Sequence, residues 1–133
     1  MASKFSDYVA NALLGWVAGT NMPTAPATVY MSLHDGNCGV NGTGGTDVTA
    51  TVRPAGRVAV DWGAVATRQL KNDAVVDFGN ADGPCEIESV ALWDAASGGN
   101  CLTGGLLPVP LTITDDLPVK VPLSQLVVGL TVA

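Results

Sequence analysis

Residues 86–100 read EIESVALWDAASGGN, and this stretch decides the fold class. It begins with polar and apolar residues in alternation, and then becomes a VALW run at residues 90–93 that is apolar on both faces of an extended chain. Such a run predicts a central strand that is covered on both sides. Residues 95–100 carry two consecutive glycines and predict a turn into a second strand. The stretch is therefore typical of an antiparallel sheet.

Short alternating segments flank this turn on both sides. They recur at intervals of about ten residues and are separated by residues that favour turns. The predicted strands cover residues 28–33, 56–62, 76–78, 101–107, 111–114, 119–123 and 126–132. No crossover helices separate them, which excludes a parallel βαβ fold. The sequence therefore predicts an all-β protein: an antiparallel β-sandwich or jelly-roll-like domain with one short N-terminal α-helix.

The N-terminal helix is predicted from an apolar stripe at helical spacing. The stripe consists of Val9, Ala12, Leu13, Trp16 and Val17. Ser6 is the expected N-cap, and Gly19 is the residue expected to end the helix in the left-handed conformation. Because so short a helix is marginal alone, we expect its stripe to pack against the sheet of this domain or against a neighbouring subunit.

Length and charge limit the organisation and the partners of the chain. Its 133 residues predict a single domain over residues 1–133, with residues 1–22 as an N-terminal arm and helix. Six basic and twelve acidic residues give a net charge of −6. Nucleic-acid phosphates and anionic membranes repel such a chain, so we expect neither as a partner. The sequence indicates no signal peptide, which predicts an intracellularly made, unprocessed chain.

Residues 36–53 are predicted to form a long exposed loop. The stretch GNCGVNGTGGTDVTAT at residues 36–51 has few large apolar residues, so it should not bury enough surface to pack. Two interpretations of this loop are open: a free tip in solvent, or an element that contacts a partner.

No group of residues in the sequence indicates catalysis or a cofactor. The three cysteines lack CxxC spacing, which argues against a disulfide framework and a zinc site and favours reduced, buried or half-buried thiols. The single histidine, His34, ends a strand and is expected to be a surface or turn residue. Glu86 and Glu88 are expected to be solvated. We therefore expect no enzymatic activity, no cofactor and no metal.

The composition favours self-association. Hydrophobic residues make up 47% of this small chain and charged residues only 14%. Small domains often gain stability by oligomerisation, and a low charge suits outer faces that other subunits cover. A slightly hydrophobic monomer is the alternative.

A set of segments occurs in a specific order along nearly the whole chain. They are Ser6-Asp7-Tyr8 with Leu13-Leu14, PATVY at 26–30, Leu33-His34 with Gly36, RVAV at 57–60, Val76-Asp77-Phe78, VALWDAASGGN at 90–100 and the closing alternating strand. The WDAASGGN turn behind PATVY is the most specific combination. In this order the chain resembles a family of small bacteriophage structural proteins, which are tail-fibre-like or act as capsid decoration (cement) proteins. Residues 38–53 and 67–71 depart from the pattern.

The resemblance implies a virion protein that is made in the host cytoplasm, with a compact β fold and no enzymatic role. The favoured interpretation is a cement protein on the outer surface of the capsid, which binds as a homotrimer across capsomers of the major capsid protein. A tail fibre or baseplate component, with host glycans as a further contact, is the alternative. A free-standing carbohydrate-binding module is a third interpretation.

Two segments are the candidate contact elements: the N-terminal arm and helix, and the loop at residues 36–53. Their candidate interface residues are Phe5, Tyr8, Trp16, Asn37, Val40 and Asn41. For Trp16 the alternative is ordinary packing in the core.

Overall fold

The computed structural model describes residues 3–129, and within them the chain forms ten strands and two helices. The strands are β1 (Ser3–Phe5), β2 (Val29–Asp35), β3 (Thr46–Asp47), β4 (Val58–Val60), β5 (Gln69–Lys71), β6 (Val76–Asn80), β7 (Cys85–Trp93), β8 (Cys101–Ile113), β9 (Pro118–Val121) and β10 (Val127–Gly129). The helices are α1 (Asp7–Val17) and α2 (Thr49–Val52). The last three residues of the predicted closing strand, 130–132, lie outside the described residues.

Six strands form one antiparallel sheet in the order β1-β8-β7-β2-β3, and β4 pairs with the same edge of β2 as β3 does. Strand β7 is central, as the sequence predicts. It pairs with β2 so that Val90 lies opposite Leu33 and Leu92 lies opposite Met31. These four side chains are buried and belong to the core face of the sheet.

Two small antiparallel sheets, β10–β5 and β6–β9, contribute to the same core. The buried members of this main core are Met31, Leu33, Val48, Val52, Val60, Val76, Phe78, Ala81, Ile87, Val90, Leu92, Ile113, Val119, Leu126 and Val128. The prediction of an all-β antiparallel fold with one short N-terminal helix is confirmed. The extent of the domain over residues 1–133 stays a prediction.

Strand β8 is one strand of 13 residues, whereas the sequence predicted two separate strands in this region. Its register with β7 shifts between Ile87 and Ser89, so residues 107–110 of β8 lie opposite Glu88 alone. This bulge has the sequence LPVP. Proline is tolerated at a bulge because it lacks the N–H that regular pairing requires. The two predicted strands are therefore the two halves of one bulged strand.

Helix α1 begins and ends as predicted. The Ser6 hydroxyl accepts a hydrogen bond from the backbone N–H of Val9 at 3.3 Å, and Gly19 has a φ of +94°. No residue of α1 is buried, although the helix contacts β1 and β8. The sheet of this domain therefore leaves the end of the predicted stripe, at Trp16 and Val17, exposed. Among residues 3–129, no helix combines the length and apolarity needed to cross a bilayer.

The prediction of a long exposed loop at residues 36–53 is wrong. The segment contains β3 and α2, and Cys38 and Val48 within it are buried. The backbone N–H of Cys38 donates to the Ser89 hydroxyl at 3.0 Å, and that of Val48 donates to the Leu33 carbonyl at 2.9 Å. Besides these backbone contacts, Val48 and Val52 of the segment enter the main core, so two valines and the backbone hold a segment that has few large apolar residues.

Candidate interaction site

The C-terminal end of α1 and the residues after it present an apolar surface. Its exposed side chains, here called the helix patch, are Leu14 (68% exposed), Trp16 (62%), Val17 (75%) and Met22 (45%). Packing of Trp16 in the core, the alternative from the sequence, is therefore wrong. No Asp, Glu, Lys or Arg occurs from residue 8 to residue 34. Exposed aromatic and Met side chains in a segment that lacks charged residues are typical of the centre of a protein interface.

The two predicted contact elements meet at the start of α1. Asn41 Oδ1 accepts a hydrogen bond from the backbone N–H of Asp7 at 2.9 Å, and Asn41 Nδ2 donates to Asp7 Oδ2 at 3.0 Å. Asp7 precedes Tyr8, which is 37% exposed. The candidate residues Tyr8 and Asn41 therefore lie on neighbouring parts of the surface, which the sequence did not indicate.

The other candidate residues differ in their exposure. Phe5 is half-buried and packs against the main core. Val40 is half-buried, and its carbonyl accepts a hydrogen bond from the Cys101 thiol at 3.6 Å. Asn37 is exposed, and its Oδ1 accepts from the N–H of Gly39 at 2.9 Å. Of these three residues, only Asn37 is exposed. A contact between any of them and a partner stays a prediction.

A groove of about 290 Å³ separates α1 from the segment that leads into β2. It is lined by Tyr8, Val9 and Ala12 of α1, by residues 22–26, by Leu102 of β8 and by Asp94, the one charged side chain of the lining. The groove is continuous with the helix patch, because Met22 belongs to both.

Arg57 and Trp93 form a stacked pair beside the predicted turn. The guanidinium carbon of Arg57 lies 4.1 Å from the centroid of the Trp93 ring, a cation–π contact. Arg57 Nη1 also donates to the carbonyls of Ala95 and Gly98, both at 2.9 Å. The turn is therefore fixed by an arginine nearly 40 residues earlier in the chain. The alternation at residues 56–62 predicts a strand there, but it gives no sign that Arg57 has carbonyl partners in a distant turn.

His34 is buried, and the prediction that it is a surface or turn residue is wrong. It is 2% exposed, and its Nε2 lies 2.8 Å from the Ser32 hydroxyl. Trp93 Nε1 donates to the same hydroxyl at 2.9 Å, so the hydroxyl can donate its own proton to Nε2. Because Ser32 is fully buried, this serine–histidine contact has no access to solvent. The Ser32–His34 contact lies within β2 and is not placed for nucleophilic chemistry, whereas the hydrogen bond from Trp93 to Ser32 links β7 to β2.

The other ring nitrogen of His34, Nδ1, is buried and has no hydrogen-bond partner among the described residues. Burial lowers the pKa of His34 below its ordinary value of 6.5. The Asp47 carboxylate and the backbone of Gly44 raise this pKa, and Arg57 lowers it, but burial is the largest effect.

We expect the protein to lose stability as the pH falls below 6.5. The unfolded chain protonates His34 near that pH, whereas the folded chain does so only at a lower pH. Between these two pKa values the unfolded state binds more protons, so the free energy of unfolding decreases on acidification. The thermal midpoint between pH 7.5 and pH 5.0 should fall more steeply for the wild type than for His34→Gln, which does not titrate. Parallel curves for the two proteins would contradict this origin.

The cysteines are placed as predicted. Cys38 and Cys101 are buried, and Cys85 is half-buried. Burial raises the pKa of the Cys101 thiol to about 11, so this thiol stays protonated at neutral pH. Burial also raises the pKa of Cys85, with a further contribution from Asp35. Cys38 and Cys101 form a small second core with Ala91, against which Trp93 packs.

Asp35 lies with Glu86 and Glu88 in one acidic group. One carboxylate oxygen from each residue lies within 4.8 Å of the others. Glu86 is exposed, as predicted, whereas Asp35 and Glu88 are half-buried. Carboxylates suit hard cations, but exposed acidic groups are common without an ion, so the group does not by itself assign a metal site.

Comparison with known proteins identifies the family. No curated protein matches the chain. A family model described as Podophage GP4 fiber I protein gp80 matches residues 4–129, which include α1, the segment at residues 36–53 and every strand from β2 to β10. The resemblance to bacteriophage structural proteins is thereby confirmed. The chain belongs to the family of the Podophage GP4 fiber I protein gp80, a family of bacteriophage structural proteins.

Proposed function

We propose that this protein is a non-enzymatic subunit of a bacteriophage tail fibre, attached to its neighbours in the virion through the helix patch. The observation that carries the proposal is the exposed, uncharged end of α1. Leaving its large apolar side chains in water forgoes about 1–2 kcal/mol for each, which a partner that covers them recovers. The family description, which names a fibre protein, supports the location.

A capsid decoration (cement) protein is the second candidate. It would bind as a homotrimer across capsomers of the major capsid protein, on the outer surface of the head. The sequence favours it in one respect, because it lacks the heptads and shaft repeats that build an extended fibre shaft. Both candidates use the helix patch, and they differ in location and in copy number. Host glycans are a further contact for the fibre subunit.

The copy number in purified particles separates the two candidates. Quantitative mass spectrometry against the major capsid protein should give few copies per particle for a fibre subunit, and a number close to that of the major capsid protein for a cement protein. Antibody labelling in electron micrographs should mark the tail in the first case and the head in the second. If the protein is absent from purified particles, both candidates fail.

Replacing Trp16 by Glu should remove the protein from particles without unfolding it. Because Trp16 is 62% exposed, the free energy of unfolding should change by no more than about 0.5 kcal/mol. Burying an unpaired carboxylate in a contact should lower incorporation into particles at least about tenfold. Val65→Glu is the matched control, since Val65 is 72% exposed and lies outside the helix patch. Equal incorporation of both variants would rule out the helix patch as the attachment surface.

A further inference from the structure

A second uncharged apolar surface lies at the bulge of β8. Its exposed residues, here called the bulge patch, are Leu106 (48% exposed), Pro108, Val109 (69%), Pro110 and Leu111 (50%). No Asp, Glu, Lys or Arg occurs from residue 95 to residue 114. The helix patch and the bulge patch thus lie in two long uncharged stretches, residues 8–34 and 95–114.

The edge of the sheet beside the bulge patch is open. Strand β1 pairs with β8 only at residues 103–105, and no other described strand pairs with this edge. Pro108 and Pro110 lack the N–H groups that an added strand would need as donors. Covering by a helix is a common way in which proteins protect such an edge. The bulge patch therefore suits a helix better than a further strand.

The α1 helix of the same chain is held at the other end of β8. The backbone N–H of Ser6, the N-cap, donates to the Leu102 carbonyl at 2.9 Å. At the other end of the helix region, Met22 lines the same groove as Leu102. Because residues 107–110 lie opposite Glu88 alone, Val109 is only about five residue steps beyond Leu102 along the sheet, or about 16 Å at about 3.3 Å per step. Both patches are exposed within one chain, so the helix patch does not cover the bulge patch of its own chain.

The areas of the two patches match the apolar part of one interface. With about 180 Å² for a fully exposed large side chain, the exposed fractions correspond to about 450 Å² for the helix patch and about 300 Å² for Leu106, Val109 and Leu111 of the bulge patch, to which the exposed Pro108 and Pro110 add. A standard interface buries about 1,600 Å², of which about 57%, or about 900 Å², is apolar. One helix patch against one bulge patch supplies nearly this area.

We infer that the end of α1 in one copy covers the β8 bulge of a second copy, so that the chain associates head to tail. The two patches are different surfaces, which makes the contact heterologous and lets a closed ring occupy every patch. The net charge of −6 on each copy favours contact through the two uncharged stretches. A ring of three copies satisfies this arrangement and agrees with the trimer expected from the sequence. The inference deepens the proposed function, because the neighbour that covers the helix patch is then a second copy of this chain, and it does not depend on the location of the protein in the particle.

Light scattering on the isolated protein tests the contact. At about 100 μM the wild type should have a mass of about 40 kDa, which corresponds to three chains of 13.5 kDa. Trp16→Glu and Val109→Glu should each raise the dissociation constant at least about 100-fold and give monomers, because each places an unpaired carboxylate in the contact. Val65→Glu, the control, should remain associated. A monomeric wild type at this concentration would overturn the inference.

Mixing the two variants tests whether the contact is heterologous. The Trp16→Glu chain keeps an intact bulge patch and the Val109→Glu chain keeps an intact helix patch, so an equimolar mixture should form pairs of about 27 kDa, two chains of 13.5 kDa. Persistence of monomers in the mixture, or association of either variant alone, would overturn the head-to-tail contact. Val17→Glu and Leu106→Glu replace either variant if its circular dichroism differs from that of the wild type.

Discussion

Trp93→Ala should lower the free energy of unfolding by about 3–4 kcal/mol. The substitution opens a cavity beside Cys38 and Cys101, removes the ring on which Arg57 stacks, and removes the hydrogen bond to Ser32. Truncation of a tryptophan in a core typically costs about 3–5 kcal/mol, and the partial exposure of Trp93 places this case in the lower half of that range. Urea denaturation followed by circular dichroism measures the change.

Trp93→Phe is the matched control for this prediction. Phenylalanine keeps an aromatic ring for Arg57 and most of the packing but lacks the indole N–H that donates to Ser32. The expected loss is about 1–2 kcal/mol, from one hydrogen bond and a small reduction in volume. If Trp93→Ala costs no more than Trp93→Phe, the ring does not hold the second core together.

Gly104→Ala should lower the free energy of unfolding by about 3 kcal/mol. A Cβ atom at residue 104 would overlap the carbonyl oxygen of Gly39 and lie 3.1 Å from the Cys38 sulfur. Relief of this overlap requires the backbone at residues 38–39 to move off the sheet. Overpacking of a core typically costs about 1–3 kcal/mol, and the need to move backbone places this substitution at the upper end of that range. The hydrogen bond from Cys38 to Ser89 should be lost with that movement.

Gly15→Ala is the control, because it makes the same chemical change where there is room. The nearest atom to a Cβ at residue 15 is Thr20 Cβ at 3.7 Å, an ordinary contact, and the position is within α1. This variant should be as stable as the wild type or about 0.5–1 kcal/mol more stable. Modification of Cys38 by a thiol reagent, mapped by mass spectrometry, should accelerate in Gly104→Ala only. An unchanged rate would show that the segment has not left the sheet.

The elements predicted correctly from the sequence are strands with alternating polar and apolar residues and a helix with a recognisable capping residue. Residues 90–93 are apolar on both faces, and the strand they form is central and buried. Ser6 is an N-cap for a local reason, since its hydroxyl bonds the N–H three residues later. The short strands β3 and β5 have no such pattern, because they owe their pairing to neighbours that are distant in sequence.

The segment at residues 36–53 shows why the remainder of the fold could not be predicted. Burial of Cys38 depends on the Ser89 hydroxyl and on the close approach of Gly39 to Gly104, and neither is a property of the segment itself. The burial of His34 could not be predicted for the same reason, since its pairing residues Asp47 on β3 and Ser89 on β7 come from other parts of the chain. Hydrophobic periodicity reports large side chains and is insensitive to contacts made by backbone atoms.

The candidate site was predicted in part. Trp16 and Tyr8 are exposed, and Asn41 lies beside the start of α1, whereas Phe5 contributes to the core. One feature of the sequence indicates both the helix patch and the bulge patch. It is the absence of charged residues over residues 8–34 and 95–114. Composition averaged over the whole chain conceals this distribution, and only a position-by-position count of charges reveals it.

The separation of charged from uncharged stretches determines how ionic strength acts on this protein. Dissolved salt screens the repulsion between copies that each carry −6, with a Debye length of about 8 Å at 0.15 M. The inferred contact between residues 8–34 and 95–114 contains no ion pairs for salt to weaken. Excluded anions such as sulfate also strengthen apolar burial. The inferred association should therefore be tighter at high ionic strength than in dilute buffer, the reverse of a complex held by opposite charges.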